Sequence, residues 1–445
     1  MIDPILIFAV LIGIVVLLGL ILYFKIQAFI SLLISSIVVG LIAGMPPLEI
    51  ISTIQKGMAG TLGFVAVVVG LGSIFGAILE QSGGASALAQ FMLRKFGEKR
   101  ASWAMVLTGF FVAIPVFFDV GFIILIPLIY ALQRKTKKSL LLYALPLLAG
   151  LAVTHAFIPP TPGPVAVADI LGADLGLVIL FGAIAGIPAA IVSGPVFSAF
   201  IAKKIHIAAP EETAAVDTPD KLPSVIHILA IVSIPILLIV AGTLVKSANA
   251  SFSPQTLAFA SMLGHPFSAL IIANMIAWYT LGIKKGYTKA QLQELSTKSL
   301  GPAGIIILLT GAGGVFKQML VDTGTGEMLA TYFSEYGISA FVFAFIAAGL
   351  VRILQGSATV SMITAAGLTA PLLPESLSDI HKAMLVIVVA SGASLMSHVN
   401  DSGFWLVSKY LGLNEKQTFK SWTIMTSILG LVGFLTIFLL QLFFG

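Results

Sequence analysis

The chain carries nearly the same segment twice, about 240 residues apart. The first copy reads Gly72-Ser73-Ile74-Phe75-Gly76-Ala77-Ile78-Leu79-Glu80-Gln81-Ser82-Gly83. The second reads Gly313-Gly314-Val315-Phe316-Lys317-Gln318-Met319-Leu320-Val321-Asp322-Thr323-Gly324. A shift of 241 lays Gly72 on Gly313, Phe75 on Phe316, Leu79 on Leu320 and Gly83 on Gly324, and also Leu88-Ala89 on Leu329-Ala330. Downstream, His155 meets His398 at a shift of 243, and Gly163 and Gly172 meet Gly403 and Gly412 at 240. Inverted repeats in an apolar chain are the signature of secondary transporters, which hold their substrate where the repeats meet.

The chain is apolar enough for that reading. Of its 445 residues 58% are hydrophobic and 10% charged, against about a quarter charged in soluble domains. The runs Ile5–Phe24, Val225–Val245 and Ile424–Phe444 are each near the ~20 residues that span the hydrocarbon core as helix. The alternating strands of a membrane barrel are not seen, so the expected class is an all-α polytopic membrane protein. No basic segment precedes the first run and no small-residue cleavage site follows it, so it reads as a retained helix. The absence of cysteine excludes disulfides, thiol catalysis and Cys-metal sites. No His-Glu-x-x-His, Gly-x-Ser-x-Gly or phosphate-loop pattern occurs. No enzyme activity, cofactor or metal site is expected.

Basic loops stay on the cytoplasmic side. The basic clusters are Arg94-Lys95 with Lys99-Arg100, Arg134-Lys135 with Lys137-Lys138, Lys203-Lys204, Lys284-Lys285 with Lys289, and Lys416 with Lys420. One threading satisfies them. The first repeat covers 1–202, with helices at 5–24, 27–44 and 58–80, an interfacial segment at 84–97, a re-entrant hairpin at 101–133, a broken helix at 140–173 and a helix at 175–202. A cytoplasmic linker covers 203–223. The second repeat covers 224–445, with helices at 224–245, 257–282 and 300–320, a hairpin at 338–370, a broken helix at 381–412 and a last helix at 421–444. Each half crosses five times, so the halves have opposite orientation. With both termini outside, 19 of the 24 Lys and Arg fall inside. Acidic flanks at Glu335, Glu375 and Asp379 suit a second hairpin that enters from the other side. The charge excess of +5 is thus a topological signal, and no nucleic-acid partner is expected.

Polar groups at membrane depth are functional candidates by default. Four places combine them with helix breakers. In the first hairpin, Pro115-Val116-Phe117-Phe118-Asp119-Val120-Gly121 places a carboxylate that is a proton, cation or hydroxyl site, or else a helix cap. At the equivalent tip, Gln355-Gly356-Ser357-Ala358-Thr359 offers unwound backbone and hydroxyls beside a helix N-terminus, or else a Gly-Ser kink. Thr154-His155 precedes Pro159-Pro160-Thr161-Pro162-Gly163, which cannot continue a helix. His155 there carries a proton or bonds a freed carbonyl. Ser397-His398-Val399-Asn400-Asp401-Ser402-Gly403 is the matching break and the densest polar cluster in the apolar part. Capping needs one such residue, not three. The candidate binding set is Asp119, Gly121, Thr161, Pro162, Gly163, Gly356, Ser357, Thr359, Asn400, Asp401 and Ser402. The candidate proton carriers are Asp119, His155, His398 and Asp401.

At these four motifs the chain resembles the gluconate permease family, a branch of the ion transporter superfamily. The carrying stretches are Phe117–Phe122, His155–Pro164, Gln355–Val360 and Ser397–Trp405, with turns at Ser82-Gly83-Gly84 and Thr323-Gly324. The resemblance implies proton-coupled uptake of a sugar acid through the bacterial inner membrane, with gluconate the best-known substrate and idonate, glycerate-like acids or D-serine taken by other members. It also implies a homodimer of scaffold and transport domains that works by an elevator motion. Sodium coupling, a passive channel and an intramembrane enzyme remain as rival readings. The enzyme reading lacks a nucleophile–base pair or metal set.

Overall fold

The computed structural model describes residues 4–210, 222–247, 253–325, 339–374, 376–399 and 401–444. Leu329, Ala330, Glu335, Glu375, Asn400 and the middle of the linker lie outside the described residues. All regular structure among those described is helical. The first half contains α1 (Pro4–Leu22), α2 (Ala28–Ile42), α3 (Pro47–Gln81), α4 (Gly84–Phe96), α5 (Ala101–Val112), α6 (Phe118–Thr136), α7 (Leu141–Phe157), α8 (Pro162–Leu171), α9 (Leu175–Ile191) and α10 (Phe197–Lys204). The second contains α11 (Val225–Ser247), α12 (Pro254–Gly264), α13 (Pro266–Ala277), α14 (Lys289–Asp322), α15 (Ala340–Gln355), α16 (Ala358–Thr369), α17 (Asp379–Ala393), α18 (Ser402–Leu411), α19 (Glu415–Thr418) and α20 (Ile424–Phe444). Among the described residues, eight helical stretches are long and apolar enough to cross a membrane. α2, at 15 residues, falls short of that length.

Three boundaries differ from the sequence expectation. α3 begins at Pro47, not near 58, because a proline at the first helical position and Glu49 in the first turn start a helix well. α14 begins at Lys289, not near 300, because Thr288 and Gln291 form a capping box. The single helix expected over 257–282 is two, because Pro266 opens α13 and the His265 ring accepts from Phe267 N at 3.3 Å. The polar starts of α3 and α14 obscured them in an apolar scan.

The two longest helices, α3 and α14, are the ones that carry the repeated segment. At about 1.5 Å per residue each is ~50 Å long, more than a bilayer core is thick. They pack through glycines: a Cβ on Gly57 would stand 2.7 Å from Val315 Cα, so only a bare backbone fits. Asp322, at the end of α14, accepts from Thr53 at 2.9 Å and from Lys56 at 3.2 Å, which ties that end to the start of α3.

The innermost helices are α7 and α17. All of Ala383–Ala393 is buried, as is nearly all of α7. Each is crossed closely by the first helix of the preceding pair. Gly109 of α5 faces Gly150 of α7, where a Cβ on Gly150 would stand 2.7 Å from Phe110 N. Gly349 of α15 faces Gly392 of α17, 240 and 242 residues further on. Gly150→Leu is expected to push α5 off α7 and cost about 1–3 kcal/mol or more, since overpacking has no room to relax. A thermal unfolding midpoint in detergent, lowered by several degrees, checks it.

Candidate functional site

Four chain breaks interrupt helices inside this bundle, and three of them open onto one cavity. The breaks lie between α5 and α6, α7 and α8, α15 and α16, and α17 and α18. The cavity has a volume of about 620 Å3, within the few hundred to a thousand Å3 of small-molecule sites. Its lining takes Phe117, Phe118, Asp119 and Val120 from the first break, Gln355 to Thr359 from the third, and Asp401, Ser402 and Gly403 from the fourth. His155, Arg352 and Trp422 also line it, as do Ser394 and Thr426.

Each of those three breaks presents a helix N-terminus. α6 starts after Phe117, which supplies no side-chain cap. Asp119 sits in the first turn, exposed to the cavity, and does not cap the helix. Ser357 caps α16 by accepting from Val360 N at 3.3 Å. The chain turns into it through Gly356 at φ 89°, the left-handed conformation that glycine adopts without strain. Asp401 caps α18 by accepting from Gly403 N at 2.9 Å. Helix N-termini carry partial positive charge and unpaired N–H groups, so three around one cavity favour an anion.

Arg352, at the end of α15, is 5% exposed. Its guanidinium donates to the Gly356 carbonyl and to Asp401 Oδ2, and its Nε has no partner among the described residues. Ser397 donates to the same Asp401 oxygen. Trp422 donates to Ser397 Oγ at 2.6 Å, and Thr423 donates to the Ser397 carbonyl at 2.5 Å. The unwound segment before α18 is thereby satisfied by the chain leading into α20, as freed backbone in an apolar setting requires. Phe118 leans on Trp422 with ring centres 5.6 Å apart, so residues of both halves meet on the cavity wall. Asp401 is compensated by Arg352. Asp119 has no cationic partner and no hydrogen bond among the described residues.

Of the residues singled out in the sequence, Asp119, His155, Gly356, Ser357, Thr359, Asp401 and Ser402 line the cavity. Others stand off it. Gly121 is packed under Leu151 and Val112, and a Cβ on Gly163 would run into Met362 of α16. Thr161 spends its hydroxyl on the Ile158 carbonyl at 2.6 Å, and with Pro162 it lines a separate, smaller chamber. His398 donates Nε2–H to the Ile353 carbonyl at 2.7 Å, which employs it as a tie between the fourth break and α15. Asn400 lies outside the described residues. Sequence reasoning missed Arg352, which lies within the segment 338–370 expected as the second hairpin. The available signal was an arginine three residues before a helix-breaking Gln-Gly-Ser at membrane depth.

A family model described as GntP family permease matches residues 5–443. The "Gluconate permease" of Pseudomonas aeruginosa is 39% identical over 99% of this chain and 98% of its own. The "Low-affinity gluconate transporter" of Escherichia coli is 39% identical over 95% of each. The "Gnt-II system L-idonate transporter" of Escherichia coli is 36% identical over 96% of this chain and 97% of its own. The fold is similar to the crystal structure of the Alcanivorax borkumensis YdaH transporter, described as having an unusual topology. That likeness has a TM-score of 0.63 at 13% identity and covers 87% of this chain and 88% of the other.

Proposed function

The chain belongs to the GntP permease family, and we propose that it moves gluconate or a close sugar-acid relative into the cell together with a proton. It is a multi-pass membrane transport protein and not an enzyme. The observation that carries the reading is the charge pattern of the cavity. Arg352 and Asp401 neutralise each other, and three helix N-termini add positive field. The substrate carboxylate lies at those N-termini, beside Arg352 and the hydroxyls of Ser357 and Thr359. Asp119 then carries the second negative charge of the loaded site, and like charges in one site favour protonation of one of them. Asp119 is the coupling carboxylate in this reading, and Asp401, already paired, is the anchor.

The rest of the proposal follows the repeat. Residues 1–202 and 224–445 form two inverted halves, joined by the cytoplasmic linker 203–223, with both termini outside and the protein in the inner membrane. The recurrence of the Gly109/Gly150 crossing as Gly349/Gly392 supports that division. In an elevator cycle α3 and α14 belong to the fixed frame, and the broken helices with their hairpins, 101–133 and 338–370, form the moving body. A homodimer of two frames completes it.

The test is labelled gluconate uptake by purified protein in proteoliposomes. Accumulation is expected under an inward-directed proton gradient, lost with a protonophore and unaffected by a sodium gradient. Unlabelled L-idonate is expected to compete, and D-serine measures how far the site depends on hydroxyls. Uptake driven only by sodium sinks the proton reading. Equilibration without accumulation would make the protein a channel.

A further inference from the structure

Beside the substrate cavity lies a second chamber of about 20 Å3. It sits where α3 passes both chain breaks of the first half, lined by Gly72 and Ser73 of α3, Pro115 to Phe117, and Pro160 to Pro162. The small face of α3 makes this approach possible. A Cβ on Gly72 would stand 3.6 Å from the Pro160 carbonyl oxygen, and one on Gly76 would collide with the Pro115 carbonyl. His155 borders this chamber and the substrate cavity together, and so does Phe117.

Two residues that line this chamber each carry a polar atom with no partner among the described residues. Ser73 Oγ is buried without a partner, its residue 4% exposed, and His155 Nδ1 is likewise buried and unpaired. Buried polar atoms are nearly always hydrogen-bonded to protein or to ordered water. A chamber of this size holds one water, which needs about 10–15 Å3 and two or more polar partners. The Thr161 hydroxyl, which donates to the Ile158 carbonyl, remains a third partner as an acceptor.

We propose that this chamber binds a single ordered water that hydrogen-bonds Ser73 Oγ and His155 Nδ1 and so holds the orientation of the His155 ring at the wall of the substrate cavity. A sodium ion fits poorly, because no carboxylate lines the chamber and a buried cation there stays uncompensated. The titratable groups that share the main cavity with His155 are Asp119 of α6, Arg352 of α15 and Asp401 before α18. α3 and the two proline breaks contribute none to the chamber. With Nδ1 engaged by the water, the ring is held in place on the wall it shares with that charge cluster. Ser73 is thus a positioning residue: it acts on transport through His155. The consequence for transport rests on the proton-coupled reading, while the water itself does not.

Two measurements test it. A high-resolution density map of the full-length protein is expected to show one water peak within hydrogen-bond reach of Ser73 Oγ and His155 Nδ1. An empty chamber, or a peak with the short multiple oxygen contacts of sodium, overturns the proposal. Ser73→Val fills the chamber and removes the hydroxyl, whereas Ser73→Ala removes the hydroxyl and leaves the space. Net proton-driven gluconate uptake is expected to fall about tenfold or more in Ser73→Val and less than about threefold in Ser73→Ala, in the range of a misplaced proton-transfer group. Gluconate counterflow at equal pH, which needs no net proton movement, is expected to stay within about twofold in both. An unchanged ratio of uptake to counterflow in Ser73→Val, with both intact or both lost, overturns the positioning role. If wild-type uptake ignores the proton gradient, the parent reading fails and the density map alone decides the water.

Discussion

Arg352→Gln is expected to abolish uptake, by a factor of about 100 or more, and to destabilise the protein at the same time. The guanidinium is buried and bonds both the Gly356 carbonyl and Asp401. Removing it leaves Asp401 charged, buried and uncompensated, a loss of about 3–5 kcal/mol in comparable pairs. It also removes the donor that stands beside the substrate carboxylate, and charge-assisted bonds to an anion are roughly twice as strong as neutral ones. The two effects separate in the double variant Arg352→Gln/Asp401→Asn. A neutral pair of similar shape is expected to restore thermal stability to within about 1–2 kcal/mol of the parent. Uptake is expected to stay lost, because the anion still lacks that charged donor. The measurements are an unfolding midpoint in detergent and initial uptake rates in proteoliposomes. A double variant that transports like the parent would make Arg352 a structural brace for the third break and nothing more.

The sequence showed the breaks more clearly than it showed their geometry. Pro159-Pro160-Thr161-Pro162 and Gln355-Gly356-Ser357 have no helical continuation, so α7 and α15 stop at Phe157 and Gln355 for reasons written in single residues. Which breaks face one another is set by long-range packing, through Gly109 on Gly150 and Gly349 on Gly392, and no local signal carries it. That explains why Thr161 and Gly163 were expected in the main cavity. The repeat placed them opposite Asp401 and Gly403, but α8 begins beside α3 and α16 instead. Arg352 was obscured for the same reason. An arginine near a hairpin tip is costly alone and sensible only once Asp401, 49 residues away, is known to meet it. The repeated segment itself lies in the two longest helices, α3 and α14. Its glycines let α3 and α14 approach their neighbours, and its one hydroxyl facing the first break, Ser73, lies unpaired against His155's chamber.

The asymmetry between the hairpins leads to the second large effect. The second hairpin brings a cation and hydroxyls, and the first brings Asp119 alone. An anion that enters with a proton needs a group that is charged when the site is empty and neutral when it is loaded. Asp401 is already engaged: it pairs with Arg352, accepts from Ser397 and caps α18 at Gly403 N. Asp119 has none of these partners among the described residues and shares its cavity with the Asp401 charge. Asp119→Asn mimics the protonated carboxyl in size and hydrogen bonding and cannot release a proton. Gluconate binding and counterflow at equal pH are therefore expected to survive within about threefold, while accumulation driven by a proton gradient falls about tenfold or more. The pH dependence of net uptake, rising toward acid in the parent, is expected to flatten in the variant, since the titrating group is gone. Asp119→Glu keeps the titration and lengthens the arm by one methylene, so it is expected to retain coupled uptake at a reduced rate. Accumulation by Asp119→Asn with full proton-gradient dependence would move the coupling site to His155, the remaining titratable group on the cavity wall without a charged partner.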